Sequence, residues 1–323
     1  MFLNKIKDKY YDNLLSSYVE SGEINEIKNI LEKKFLLNNS SDLKILNNYL
    51  IKFLSEQKFE KLFNKNLIWV NSFESKSCTY INNFLINIFK ENNIVFDKPT
   101  KFVDELYDLI KIRNINKIDF EDLCNFSYSY QYLLSEKYKD LKILNSSASF
   151  FETSNKLYFT HYFLTKCFIY IVKNPYEIFK RNKMYYSSDK KINYMEGLTA
   201  GDNNDVYHKY DDNNYFVSEN KQSWSTNVSS WTNPNVISTF RGIIIKEEEL
   251  IEDPLQKLSE LVSHLIQSGI NCKLDYSYLQ NYIEENPIEK EIIPMADLSK
   301  KELKILNRDI GNVADKLNYK PSL

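Results

Sequence analysis

The feature that most constrains this chain is a short apolar run, Leu67-Ile68-Trp69-Val70, set directly before a polar turn and a helical stripe. A continuous apolar run of that length is the pattern of a strand buried on both faces, as in a parallel sheet. After the turn SFESKSC, the apolar residues Tyr80, Ile81, Phe84, Leu85, Ile88 and Phe89 recur at helical spacing, which predicts an amphipathic helix. Residues 67–89 therefore read as a strand-turn-helix unit. Such a unit points unpaired backbone N–H groups and the positive end of a helix dipole at one spot, which suits a phosphate-bearing ligand. Ser75, Lys76, Ser77 and Thr79 add hydroxyl donors and a cation.

Further buried runs predict further strands: KLYFT ending before His161, CFIYIV over 167–172, and GIIIK over 242–246. Residues 101–144 carry helical spacing led by Phe102, Leu106, Leu109 and Ile110. Strands alternating with helical stretches imply an α/β fold, a central parallel sheet flanked by helices. Residues 1–64 read as an N-terminal helical extension and 65–323 as the main domain. The polar stretch 195–222 is too long for a simple connection and reads as a lid or substrate loop. Ser299 and Glu302 form a capping box that opens a helix through Leu317. Trp224 and Trp231 read as helix core, His264 as a packing residue, His208 as a surface residue, and Asp253-Pro254 as a helix start.

Composition removes several function classes. With 323 residues and 43% hydrophobic content the chain can bury a full core, and a net charge of -2 lacks the broad basic surface that nucleic-acid binding needs. Cys78, Cys124, Cys167 and Cys272 lie far apart, without zinc spacing, and read as reduced thiols. No signal peptide or membrane span is expected, which points to the cytoplasm. Abundant Asn, Lys, Ile and Tyr follow the bias of an AT-rich genome, so surface Asn and Lys clusters carry little functional meaning. The nucleotide-triphosphatase motif GxxxxGK[ST] is absent, which argues against a nucleotide or carbohydrate kinase.

Five blocks then stand in one order: IWVNSFESKSCTYINNFL, IYIVKNPYEIFKR, SWSTNVSSW, IIIKEEELIEDPLQKL and LSKKELKILNRDIGNVADKLNY. In that order the chain resembles the cytosolic-type sulfotransferases that use 3′-phosphoadenosine 5′-phosphosulfate (PAPS), over residues 67–319, as a divergent member. The resemblance implies a P-loop-NTPase-like sulfotransferase fold. It implies a 5′-phosphosulfate loop at Ser75, Lys76, Ser77, Cys78 and Thr79, with Tyr80 in place of the family's tryptophan near the adenine. Cys78 stands where the family has glycine, and Glu74 is an unfavourable neighbour for phosphosulfate. In the 3′-phosphate motif Lys173 replaces an arginine, Asn174 and Pro175 match, and Arg181 falls on the serine position. His161 matches the catalytic histidine, and Lys76 would stabilise the leaving phosphate. The co-substrate implied is PAPS with no metal, and the acceptor a small molecule, glycan or lipid-linked hydroxyl or amine. The family's Arg-Lys-Gly clamp is missing near the C-terminus, where Lys290 stands alone among glutamates. The alternative is a catalytically impaired relative that keeps the fold as a binding or scaffold module.

Overall fold

The computed structural model describes residues 63–73, 75–102, 127–146, 163–186, 223–288 and 297–321. It adds short segments at 104–105, 107–108, 117–118, 152–153, 156–157, 205–210 and 215–220, and scattered positions between 13 and 51. Its centre is a five-stranded parallel sheet built from β1 (Leu67–Ser72), β2 (Phe96–Lys101), β3 (Leu141–Ser146), β4 (Thr165–Val172) and β5 (Gly242–Lys246). The strands lie in the order β2-β3-β1-β4-β5. From β1 the chain travels outward to β2, returns to β3, then crosses β1 to β4 and β5. The direction of travel reverses at β1, which makes its carboxyl end the topological switch point of the sheet.

The apolar runs are continuous because alternate residues serve two cores. On one face Ile68 and Val70 of β1, Ile143 of β3 and Cys167, Ile169 and Ile171 of β4 pack in a single buried cluster. That cluster is closed by α1 (Ser77–Glu91), by Leu250, by Leu258, Leu261, Val262 and Leu265 of α7 (Pro254–Gln267), and by Leu279 and Tyr282 of α8 (Tyr276–Glu285). On the other face Leu67, Trp69, Leu144, Phe168, Tyr170 and Val172 meet α2 (Ser127–Lys137), α3 (Pro175–Tyr186), α4 (Trp224–Trp231), α5 (Pro234–Phe240) and α9 (Lys300–Lys316). A period of two with both faces covered produces an unbroken apolar strand. Leu46, Leu50 and Phe63 are buried in this second cluster as well.

Several expectations hold at the level of single residues. The capping box is formed, with Glu302 N donating to Ser299 Oγ at 3.3 Å and Ser299 N to Glu302 Oε2 at 2.7 Å. Asp253 caps α7 through Gln256 N, with Pro254 in its first turn. Trp224 and Trp231 are buried, and Trp231 stacks on Tyr170 at 5.8 Å. His264 lies on α7, where burial lowers its pKa.

Others need correction. The stretch 101–144 is not helical throughout: Phe96–Lys101 and Leu141–Ser146 are sheet strands, and Lys117–Ile118 is extended. Strand β2 is an edge strand with Pro99 at a break in its register, the place where a residue without an N–H is tolerated. It is tied down by Glu105, which accepts from Thr100 Oγ1 at 2.7 Å, Lys142 Nζ at 3.0 Å and Tyr138 OH at 3.0 Å. Of the KLYFT run only Lys156–Leu157 lies within the described residues, and it pairs antiparallel with Glu152–Thr153, not with the central sheet. Part of the expected lid is an antiparallel pair, Asp205–Tyr210 with Tyr215–Asn220.

Gly242 opens β5 against β4. A Cβ there would lie 2.0 Å from Phe168 Cζ, and that ring is wedged edge-on against Trp231 at 5.0 Å. Gly242→Ala is therefore predicted to overpack the sheet and destabilise it by about 1–3 kcal/mol, measured by urea denaturation.

Candidate functional site

The carboxyl ends of β1, β3, β4 and β5 converge on the turn between β1 and α1. Helix α1 begins at Ser77, with Lys76 as the residue before it. The turn is held internally: Ser75 N donates to Ser72 Oγ at 3.2 Å and Ser77 N to Ser75 Oγ at 3.1 Å. Cys78 donates its thiol to Ser72 Oγ at 3.1 Å, and burial pushes that thiol up to about 11. A thiol that stays protonated is a packing group, not a nucleophile.

An acidic side chain sits on this turn. Glu247, the first residue of α6 (Glu247–Glu252) directly after β5, reaches across to it. Its Oε1 accepts from Ser77 Oγ at 2.7 Å and Ser75 Oγ at 2.8 Å, with Ser77 N further off at 3.4 Å. Its Oε2 pairs with Lys173 Nζ at 2.9 Å, and the two side chains are only 5% and 11% exposed. Burial alone would raise the pKa of Glu247, but Lys173 and the two serine hydroxyls outweigh it and hold the carboxyl below its ordinary range. The group is thus a satisfied, buried anion.

The adjacent Glu248 straps the neighbouring strand ends. Its Oε1 accepts from Asn174 N at 2.7 Å and its Oε2 from Tyr319 OH at 3.0 Å, while Tyr319 OH also lies 3.2 Å from Val172 O. Asn174 Oδ1 in turn accepts from Tyr176 N and opens α3. Between β1 and β3, Asn71 Oδ1 accepts from Ser146 N at 2.9 Å, and from α1 Asn82 Nδ2 donates to Asn145 Oδ1 of β3 at 2.8 Å. The other amide atoms, Asn71 Nδ2 and Asn82 Oδ1, are buried without a partner.

Of the residues singled out from sequence, the structure brings together Ser75, Ser77 and Lys173, all through Glu247. Lys76 and Thr79 are exposed at the start of α1, where Thr79 N bonds Lys76 O at 3.1 Å. Tyr80 packs edge-on against Tyr282 with ring centroids 5.9 Å apart, and burial pushes its hydroxyl up to about 12. Arg181 lies along α3, more than a turn beyond the strand end. His161 and Glu74 fall outside the described residues. Sequence reasoning missed Glu247; the available signal was an acidic residue placed directly after a buried strand, at the edge where ligands bind.

Fold and site together define an α/β protein with an anion-holding strand-turn-helix at the switch point of its parallel sheet. No protein-family model matches the chain. A curated relative, reticulocyte-binding protein homolog 1 of Plasmodium falciparum (isolate 3D7), is 25% identical over 321 residues, covering 97% of this chain. The chain spans about 9% of that protein's length. Among solved structures, retinol dehydratase in complex with retinol and PAP is similar at a TM-score of 0.46 and 10% identity, over 80% of this chain and 84% of that one. Mouse sulfotransferase SULT7A1 complexed with PAP is similar at a TM-score of 0.39 and 12% identity, over 81% of this chain and 94% of that one.

Lys173 and Glu247 form a buried pair, and removing one member of such a pair costs more than removing both. Lys173→Met is predicted to cost about 3–5 kcal/mol in urea unfolding. The double variant Lys173→Met/Glu247→Gln should recover a large part of that loss.

Proposed function

We propose that the chain is a PAPS-dependent sulfotransferase that moves a sulfuryl group to a hydroxyl or amine of a small-molecule, glycan or lipid-linked acceptor. The observation that supports this most is the seat itself. A carboxylate rests on the β1–α1 turn, held by two serine hydroxyls and a lysine, so the donor set is chemically suited to an oxyanion. Its place at the carboxyl end of β1, where the strand order reverses, is where ligands bind in open α/β sheets.

In this reading Ser75, Ser77 and the start of α1 hold the 5′-phosphate, and Lys173 supplies positive charge beside it. Lys76, exposed at the same turn, neutralises the leaving phosphate as the bond from sulfur to the phosphate oxygen breaks. His161 takes the acceptor's proton while the new bond from acceptor to sulfur forms. Tyr80 and Arg181 would flank the adenine and the 3′-phosphate. Cys78 contributes shape only, as a protonated thiol. In this reading the chemistry requires no metal and runs in the cytoplasm.

A second reading, a non-catalytic module on the same fold, is favoured by one observation: the seat is already filled by Glu247. Isothermal titration with 3′-phosphoadenosine 5′-phosphate (PAP) separates the two. The enzyme reading predicts saturable binding, with His161→Ala abolishing transfer but sparing binding, and Lys76→Ala weakening both. No heat of binding at millimolar PAP would leave the scaffold reading.

A further inference from the structure

We propose that Glu247 is a built-in gate: its carboxylate keeps the phosphate seat of the β1–α1 turn shut, and must swing away before an anionic ligand can occupy it. The inference rests on the anion-seat reading above and adds a regulatory contact to it.

The donors that would greet a phosphate oxygen are already engaged. Ser75 Oγ and Ser77 Oγ both donate to Glu247 Oε1, and Lys173 Nζ is 2.9 Å from Oε2. A phosphate placed on the same donors would stand beside a buried negative charge, and two like charges in a poorly solvated site repel strongly. Ligand and Glu247 carboxylate therefore exclude one another. The carboxylate is a near match for the group it replaces, being an oxyanion with lone pairs to satisfy the hydroxyls and one negative charge for the lysine. Without such an occupant the serines and Lys173 would be buried around an unbalanced positive charge.

The placement of Glu247 suits release. It is the first residue after β5, and the strand ends are strapped by its neighbour Glu248 through Asn174 N and Tyr319 OH. Side-chain rotation at Glu247 can empty the seat without breaking those straps. Lys173 then passes from the carboxylate to the incoming anion.

The test uses the full chain, isothermal titration, and two probes, inorganic phosphate and PAP. Glu247→Gln should bind inorganic phosphate at least tenfold more tightly than the parent chain. Glu249→Gln, which removes a neighbouring exposed carboxylate paired with Lys257 and Lys246, should leave affinity unchanged. Equal or weaker phosphate binding by Glu247→Gln overturns the gate. PAP bound equally by the parent and Glu247→Gln also overturns it while leaving the sulfotransferase reading standing. Gain for phosphate with no PAP binding by either protein keeps the gate and removes that reading. Silence from both proteins with both probes removes both. If Glu247→Gln unfolds, judged by circular dichroism, Glu247→Asp replaces it. That carboxylate is one methylene shorter and cannot span to both serines and Lys173, so it should bind phosphate more tightly than the parent; no gain overturns the gate.

Discussion

One buried carboxylate organises the working end of this molecule. Glu247 leaves the end of β5, crosses to the turn after β1, and meets Lys173 from the end of β4. Three strand ends that are distant in sequence are joined through its two oxygens. The ion pair is almost fully desolvated, so its partners are coupled: each is costly to bury alone, and together they are tolerated because hydroxyls and an amine satisfy the lone pairs. Glu248 repeats the arrangement one residue later, tying Asn174 and Tyr319 to the same edge. Two consecutive glutamates therefore do different jobs, one joining the β1–α1 turn to Lys173 and one strapping the end of β4 to the chain at Tyr319.

The sheet makes that meeting possible. Both neighbours of β1 run parallel to it, so the carboxyl ends of β3, β1 and β4 lie side by side. Alternation of Ile68 and Val70 against Leu67 and Trp69 locks the register of β1 between two apolar layers; a one-residue slip would exchange the sides. The turn cannot drift relative to β4 without breaking both cores. Rigid strands below and a short polar turn above hold the hydroxyls of Ser75 and Ser77 and the Lys173 ammonium in one place around Glu247.

How much of this was legible in the sequence depends on how a residue's role is encoded. Buried strands advertise themselves when both faces are covered, so LIWV, CFIYIV and GIIIK were read correctly, as was the stripe of α1 and the capping box of α9. Strand β2, FDKPTK, escaped because an edge strand is half-exposed and its pattern carries no apolar run, and LKILNS of β3 offers only a brief one. The strand-turn-helix that carries Ser75 and Ser77 was legible, since an apolar strand and an amphipathic stripe frame it. The side chain that crosses to it was not. Glu247 opens an acidic run, Glu247-Glu248-Glu249, that looks like a solvated helix start, and only Glu249 behaves that way, paired with Lys246 and Lys257 at the surface. Lys173 was picked out for a 3′-phosphate; in the fold its ammonium pairs with Glu247 beside the β1–α1 turn. Long-range pairing of a lysine and a glutamate 74 positions apart in the chain leaves no local trace.

The coupling of these strand ends requires the Glu247 carboxylate to be buried and ionised. Carboxyl-carbon NMR of the side chain, followed through an acid titration, reads this directly. A carboxyl stabilised by Lys173 and two hydroxyls has its folded-state pKa below the unfolded value, so its contribution to stability is present above the ordinary carboxylate range and is lost as pH falls through the lowered one. The prediction is a midpoint below about 4.3, the usual value for a glutamate, rising in Lys173→Met. A midpoint at or above that value in the parent chain, unmoved by Lys173→Met, would contradict it.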